Sequence, residues 1–249
     1  DVQPVNLKGT CLYDATYRAI EELSKAPAGR RAVVVFTDGT DRLDMKITNA
    51  AVAEMRAAFG MFRPYHDWPK VTIFGSARTQ TDSPLYAQTQ EAARLLAEQG
   101  WLVVTGAGPG IMAAAVEGAG DEASLGVSIR LPFEEAPPEA LENEDRVVTM
   151  KYFFTRKLML MKESAGFLVL PGGFGTLDET FELLTLIQTS KSEPAPVVLL
   201  DVRGGRYWGR LLDLLEAVAR DGYIDPHDLS LIKVTDDPAD AVTHLLDFH

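Results

Sequence analysis

Two pairs of adjacent charged residues, Arg156-Lys157 and Asp178-Glu179, stand out beside glycine-rich and helix-like stretches of the chain. The second pair closes the segment Phe167-Leu-Val-Leu-Pro-Gly-Gly-Phe-Gly-Thr-Leu-Asp-Glu179. An apolar run of strand length breaks there into Pro171-Gly172-Gly173-Phe174-Gly175, and a helix-like pattern opens at Thr176. Glycines accept positive φ and let a ligand come close to the backbone. A helix N-terminus offers unpaired N–H groups and partial positive charge, a setting that suits a phosphate. Asp178 and Glu179 are expected in the first helical turn. Acids there ordinarily complement the helix dipole, so Glu179 needs further context before it reads as chemistry.

That context comes from the elements around it. From Val71 onward apolar strand runs alternate with helical periodicity. This pattern predicts an α/β fold: a doubly wound, Rossmann-like parallel sheet with helices on both faces and ligands at the carboxyl ends of its strands. Strand Val71–Phe74 runs into Gly75-Ser76, Trp101–Thr105 into Gly106-Ala-Gly108-Pro-Gly110, and the strand at Phe167 into Gly172–Gly175. All three turns should share one rim. The helix expected over Tyr152–Ser164 leads into the strand at Phe167, so its N-terminal residues Thr155, Arg156 and Lys157 should reach that rim as well.

Two nucleotide-binding patterns fit poorly. A dinucleotide site carries an acid about 20 residues beyond its glycines, whereas the strand here ends Ser128-Ile-Arg130-Leu131. No Gly-Lys-Ser or Gly-Lys-Thr follows any glycine turn. A mononucleotide or sugar phosphate suits the turns better.

Bulk properties narrow the class. The chain has 249 residues and a formal net charge of −12, which argues against nucleic acid or anionic membrane as a general partner. A single cysteine, Cys11, fits a reducing compartment. No apolar run approaches the roughly 20 residues that span a bilayer. The expectation is a soluble cytoplasmic protein.

With the motifs assembled, Pro171-Gly-Gly-Phe-Gly-Thr-Leu-Asp-Glu179 is similar to the Pro-Gly-Gly-x-Gly-Thr-x-x-Glu signature of the LOG family, nucleoside 5′-monophosphate phosphoribohydrolases often labelled lysine decarboxylases. Phe74-Gly-Ser-Ala-Arg78, Thr105-Gly-Ala-Gly-Pro-Gly-Ile-Met112 and Thr155-Arg-Lys157 extend the resemblance over residues 43–249. The Phe153-Phe-Thr-Arg-Lys157 form looks like the longer bacterial members and leaves base preference open. The resemblance implies Arg156 and Glu179 as the catalytic pair. It implies Gly172, Gly173, Gly175 and Thr176, with Gly108 and Gly110, as the 5′-phosphate cradle. Gly75, Ser76, Gly106, Met112, Lys157, Phe174 and Asp178 would complete the substrate site. No metal or cofactor is implied, and the partners would be a nucleoside 5′-monophosphate and a second copy of the chain. The Met-rich run Lys157–Lys162 could serve that contact or lie in the core.

Two other resemblances bear on the reading. Molybdenum-cofactor carriers share this fold and hold a phosphorylated pterin without chemistry, which gives a binding-protein alternative. Residues 5–41 resemble part of a von Willebrand factor A domain, where Thr10 and Asp38 match two metal-holding positions. A hard cation wants about six oxygens, so that pair makes a poor site. A domain boundary is expected at residues 42/43.

Overall fold

The computed structural model describes residues 42–130 and 144–249. The von Willebrand-like stretch with Thr10 and Asp38 lies outside them. The compact unit that carries the candidate site runs from Asn49 to His249.

Helix α1 (Arg42–Phe62) precedes β1 (Lys70–Phe74), α2 (Pro84–Glu98), β2 (Leu102–Thr105), α3 (Ile111–Ala119), β3 (Ser124–Ile129) and β4 (Val147–Met150). Then come α4 (Phe153–Lys162), β5 (Gly166–Val169), α5 (Phe174–Gln188), β6 (Val197–Leu200), α6 (Tyr207–Arg220), β7 (Ile232–Thr235) and α7 (Pro238–Asp247). The strands form one seven-stranded sheet in the order β4-β3-β2-β1-β5-β6-β7. Every pairing is parallel. The doubly wound fold expected from the sequence is the fold observed.

Its sequence logic is that both sheet faces are covered. In β1, Val71 and Ile73 pack on one side with Ala92, Leu96 and Ile111, while Phe74 packs on the other with Phe62, Met159 and Trp208. The same two-residue alternation runs through β5, with Leu168 on the first face and Phe167 and Val169 on the second. Two apolar faces favour near-continuous apolar strands, as in β5; in β1 the polar Lys70 and Thr72 are nevertheless buried with the rest of the strand.

The strand order reverses direction between β1 and β5, and this is where a doubly wound sheet opens a crevice. The loops after β1 and β5 flank it. Helix α4 crosses from β4 at one edge to β5 at the centre, which places its N-terminus at the carboxyl rim. Its other end is pinned by Thr72 of β1, whose hydroxyl donates to the Leu160 carbonyl at 3.0 Å and lies 2.5 Å from Ser164 Oγ.

Three points add to or revise the expectations. Strand β7, absent from the expected elements, is an edge strand, half-buried throughout, in which the apolar Ile232 and Val234 alternate with Lys233 and Thr235. The Met-rich run is core, because Met159, Leu160 and Met161 are buried against the sheet. Helix α5 begins at Phe174, two residues before Thr176. Among the described residues, no helix is long and apolar enough to cross a membrane.

Candidate active site

The three glycine-bearing turns are stitched together by one residue. The Ser76 carbonyl accepts from Ile111 N–H at 3.0 Å, and Ser76 N–H donates to the Pro171 carbonyl at 3.4 Å. The turns after β1, β2 and β5 are thereby held as one surface. Glycine makes the approach possible at Gly110, which has φ of +68°. A Cβ there would collide with the Ser76 carbonyl. Ala107, between Gly106 and Gly108, also sits at a positive φ of 54°. That conformation is costly for a residue with a Cβ and characteristic of functional loops.

In the third turn the glycines act differently from expectation. None of Gly172, Gly173 and Gly175 has positive φ. Gly172 instead allows close packing, because a Cβ would strike the Thr176 side chain. At Gly173 and Gly175 a Cβ would meet nothing within 4 Å. Their open faces flank the start of α5, whose N-cap residue Gly173 provides no side-chain cap. The first N–H groups of a helix lack intrahelical partners, so this end retains the anion-binding character read from the sequence. Because α5 starts at Phe174, Asp178 and Glu179 fall in its second turn, and no acid occupies the first. The dipole-cap explanation of Glu179 fails.

What Glu179 meets is Arg156. Their side chains form an ion pair, Nη1 to Oε1, at 3.2 Å, and only 10% and 14% of the two side chains are exposed. Arg156 is further fixed by its Nε, which donates to the Val127 carbonyl of β3 at 2.9 Å. Gly106 supplies the space, since a Cβ there would collide with Arg156 Nη2. Met112 packs over Gly106 and Gly108 on the same side. Burial pushes the Glu179 carboxyl above the usual carboxylate range; Arg156 and Lys157 pull it back, while Asp178 and Glu182 push it further up. Burial likewise lowers the guanidinium's proton affinity and Glu179 opposes this, but arginine keeps its charge in proteins.

Lys157 faces elsewhere. Its ammonium is 3.0 Å from Asp178 Oδ2 and 2.5 Å from Glu182 Oε2. Burial lowers its proton affinity, yet the hydrogen bonds it donates to Glu182 and Asp178, with their charges, outweigh this and raise it. The lysine thus clamps α4 to α5 one residue from the Arg156–Glu179 pair. Glu182, one turn on from Glu179, is part of this clamp. Phe174 is 94% exposed beside the open glycines.

Two contributors were not legible in the sequence. Tyr207 at the start of α6 donates its hydroxyl to the Gly172 carbonyl at 2.6 Å and steadies the third turn. Glu54 of α1 accepts from the N-terminal end of α4. Both act across long sequence separations, which no local pattern reports.

The fold is thus a doubly wound sheet with a buried Arg–Glu pair and glycine turns at its switch point. Residues 110–245 match the family described as "Possible lysine decarboxylase", and the chain belongs to this family, the LOG family. A probable cytokinin riboside 5′-monophosphate phosphoribohydrolase of Oryza sativa subsp. japonica is 27% identical over 184 residues, covering 72% of this chain and 72% of that protein. The cytokinin riboside 5′-monophosphate phosphoribohydrolase of Mycobacterium tuberculosis is 28% identical over 180 residues, covering 71% and 92%. Among solved structures, the molybdenum cofactor binding protein of Rippkaea orientalis is similar in fold, with a TM-score of 0.51 at 21% identity over 73% of this chain and 97% of that one.

Proposed function

We propose that the protein hydrolyses the N-glycosidic bond of a nucleoside 5′-monophosphate, with AMP or a modified adenylate as the favoured substrate, to free base and ribose 5-phosphate. The observation that carries this reading is the Arg156–Glu179 pair, buried at 3.2 Å beside glycine turns suited to a phosphate. The names of the rice and mycobacterial relatives support the same chemistry.

In this reading the phosphate lies against the open faces of Gly173 and Gly175 at the start of α5, with Thr176, Gly108 and Gly110 completing the cradle. Gly75, Ser76, Gly106, Met112, Phe174 and Asp178 border the rest of the ligand. As the C1′–N bond breaks, positive charge develops on the ribose, and a nearby carboxylate stabilises it. Glu179 also takes a proton from the attacking water, whose oxygen bonds to C1′; the departing base gains a proton overall. A base with its proton affinity moved toward neutrality suits this role. Arg156 holds that carboxylate in place and keeps it ionisable despite its burial.

Decarboxylation, as in the family's description, needs a lysine able to bond pyridoxal phosphate. Lys157, the lysine beside the pair, is instead held between Asp178 and Glu182. The likeness to molybdenum cofactor proteins is one of fold. By resemblance to the family, the working form is a homodimer or larger homo-oligomer in the cytoplasm. A monomer mass by light scattering, at assay concentration, would contradict the assembly.

The test is release of free base from AMP, CMP, GMP and modified adenylates by purified protein. Base from at least one of them is expected; none from any, at high protein concentration, overturns the reading.

A further inference from the structure

The helix that carries Arg156 does not cap itself. Tyr152 occupies the N-cap position of α4 and makes no side-chain capping bond. The capping partner comes from a different helix, nearly a hundred residues away in sequence. The Glu54 carboxylate of α1 accepts from Lys151 N–H at 2.8 Å and from Tyr152 N–H at 3.4 Å, and it shares the Thr155 hydroxyl, 2.8 Å away, with the Tyr152 carbonyl, also at 2.8 Å. In a capping box a glutamate at the third helical position reaches back to the N-cap N–H. Here that third position is Thr155, and Glu54 supplies the carboxylate from outside. Its negative charge also complements the positive end of the helix.

We propose that Glu54 is a positioning residue for the Arg156–Glu179 pair. Arg156 is the residue after Thr155, and its own N–H donates to the Tyr152 carbonyl at 3.2 Å. The turn that Glu54 ties down is therefore the turn that sets the origin of the Arg156 side chain. The guanidinium has little room for error: it must reach the Val127 carbonyl and Glu179 together, through the gap left by Gly106. Glu54 is itself anchored, because the neighbouring residues Met55, Ala58 and Phe62 of α1 are buried. Ala58 and Phe62 belong to the same core as Met159 and Leu160 of α4. Helix α1 thereby acts as a brace that transmits the position of the sheet's outer layer to the pair.

This inference rests on the proposed function for its meaning in catalysis, and its test is chosen to stand without it. The charged groups facing Glu179 are Arg156 and Lys157 from α4 and Asp178 and Glu182 from α5. Loosening the first turn of α4 withdraws both cations together. The measurement is a 13C NMR titration of the Glu179 carboxyl in the wild type and in Glu54→Gln, with Glu54→Asp as the conservative variant. Glu54→Gln should raise the midpoint by about half a pH unit or more, through weaker cation contact. Glu54→Asp should restore part of the difference. An unchanged midpoint in folded Glu54→Gln overturns the proposal; so does a shift that Glu54→Asp exceeds. If Glu54→Gln fails to fold, Glu54→Asp alone decides, with a raised midpoint supporting the role and an unchanged one refuting it. Absence of base release by the wild type would sink the functional reading and leave this titration intact. Where base is released, Glu54→Gln should lower kcat about tenfold with KM within about twofold.

Discussion

The Arg156 guanidinium lies 3.2 Å from the Glu179 carboxylate, and neither side chain has more than a sixth of its surface in water. Such a pair is poorly explained as a stabilising device. Desolvating two charges costs several kcal/mol per ion, and the attraction between them often returns no more than that. Its place at the β1/β5 switch point, ringed by glycine turns, gives it a chemical explanation instead.

The pH dependence follows from the environment of the carboxylate. Glu179 must be ionised to accept a proton, and burial holds its folded-state value above the usual range against the pull of Arg156. Activity is therefore lost as pH falls through a value higher than that of an ordinary glutamate. The acid limb of kcat/KM should lie above about pH 4.3, the unperturbed glutamate value. Arg156→Met and Lys157→Met should each move it upward, Arg156→Met the more, because Arg156 is the larger opposing influence. A reversed order, read from pH–rate profiles of the two variants, would contradict this electrostatic account.

Glycine substitutions should separate positioning from binding. In Gly106→Ala the added methyl collides with Arg156 Nη2, so the guanidinium must move. We expect kcat to fall about a hundredfold, in line with the sensitivity of reaction geometry to small displacements. In Gly173→Ala the methyl meets no protein atom within 4 Å. Stability should fall by no more than about 1 kcal/mol, since alanine is a poorer N-cap than glycine. If the phosphate lies against this face, KM should rise about tenfold or more, a loss of roughly 1.4 kcal/mol in binding. Steady-state kinetics with thermal melting would distinguish the two outcomes, and an unchanged KM in Gly173→Ala would move the phosphate elsewhere.

Tyr207 offers a test of the third turn. Its hydroxyl donates to the Gly172 carbonyl at 2.6 Å. Tyr207→Phe removes that bond and should cost about 1 kcal/mol of stability. Because the bond holds the turn rather than the carboxylate, KM should rise while the acid limb of the pH profile stays in place. A shifted limb with unchanged KM would assign Tyr207 to the Arg156–Glu179 pair instead.

The parts of the site legible in the sequence were those with local signatures. Apolar runs ending in glycine gave three strand ends, and parallel topology put their turns on one rim with Arg156. Less legible was anything decided by tertiary packing. Glu179 looked like a helix cap because Phe174-Gly175 reads as turn, yet the helix already includes both residues. Lys157 looked available to an anion because its partners Asp178 and Glu182 lie on another helix. Strand β7 alternates apolar and polar residues over only four positions, too short a stretch to separate from its surroundings until it pairs with the edge of β6. Glu54 and Tyr207 belong to helices with no motif of their own.

The most direct measurement is single-turnover base release by Glu179→Gln, alongside calorimetric binding of the substrate found for the wild type. The glutamine keeps the side chain's shape but cannot take the water's proton or carry the charge that stabilises the ribose cation. The account predicts a loss of about a thousandfold or more in rate, with affinity for the nucleotide retained within a few-fold. A variant that turns over at the wild-type rate would remove Glu179 from the mechanism and contradict the account at its centre.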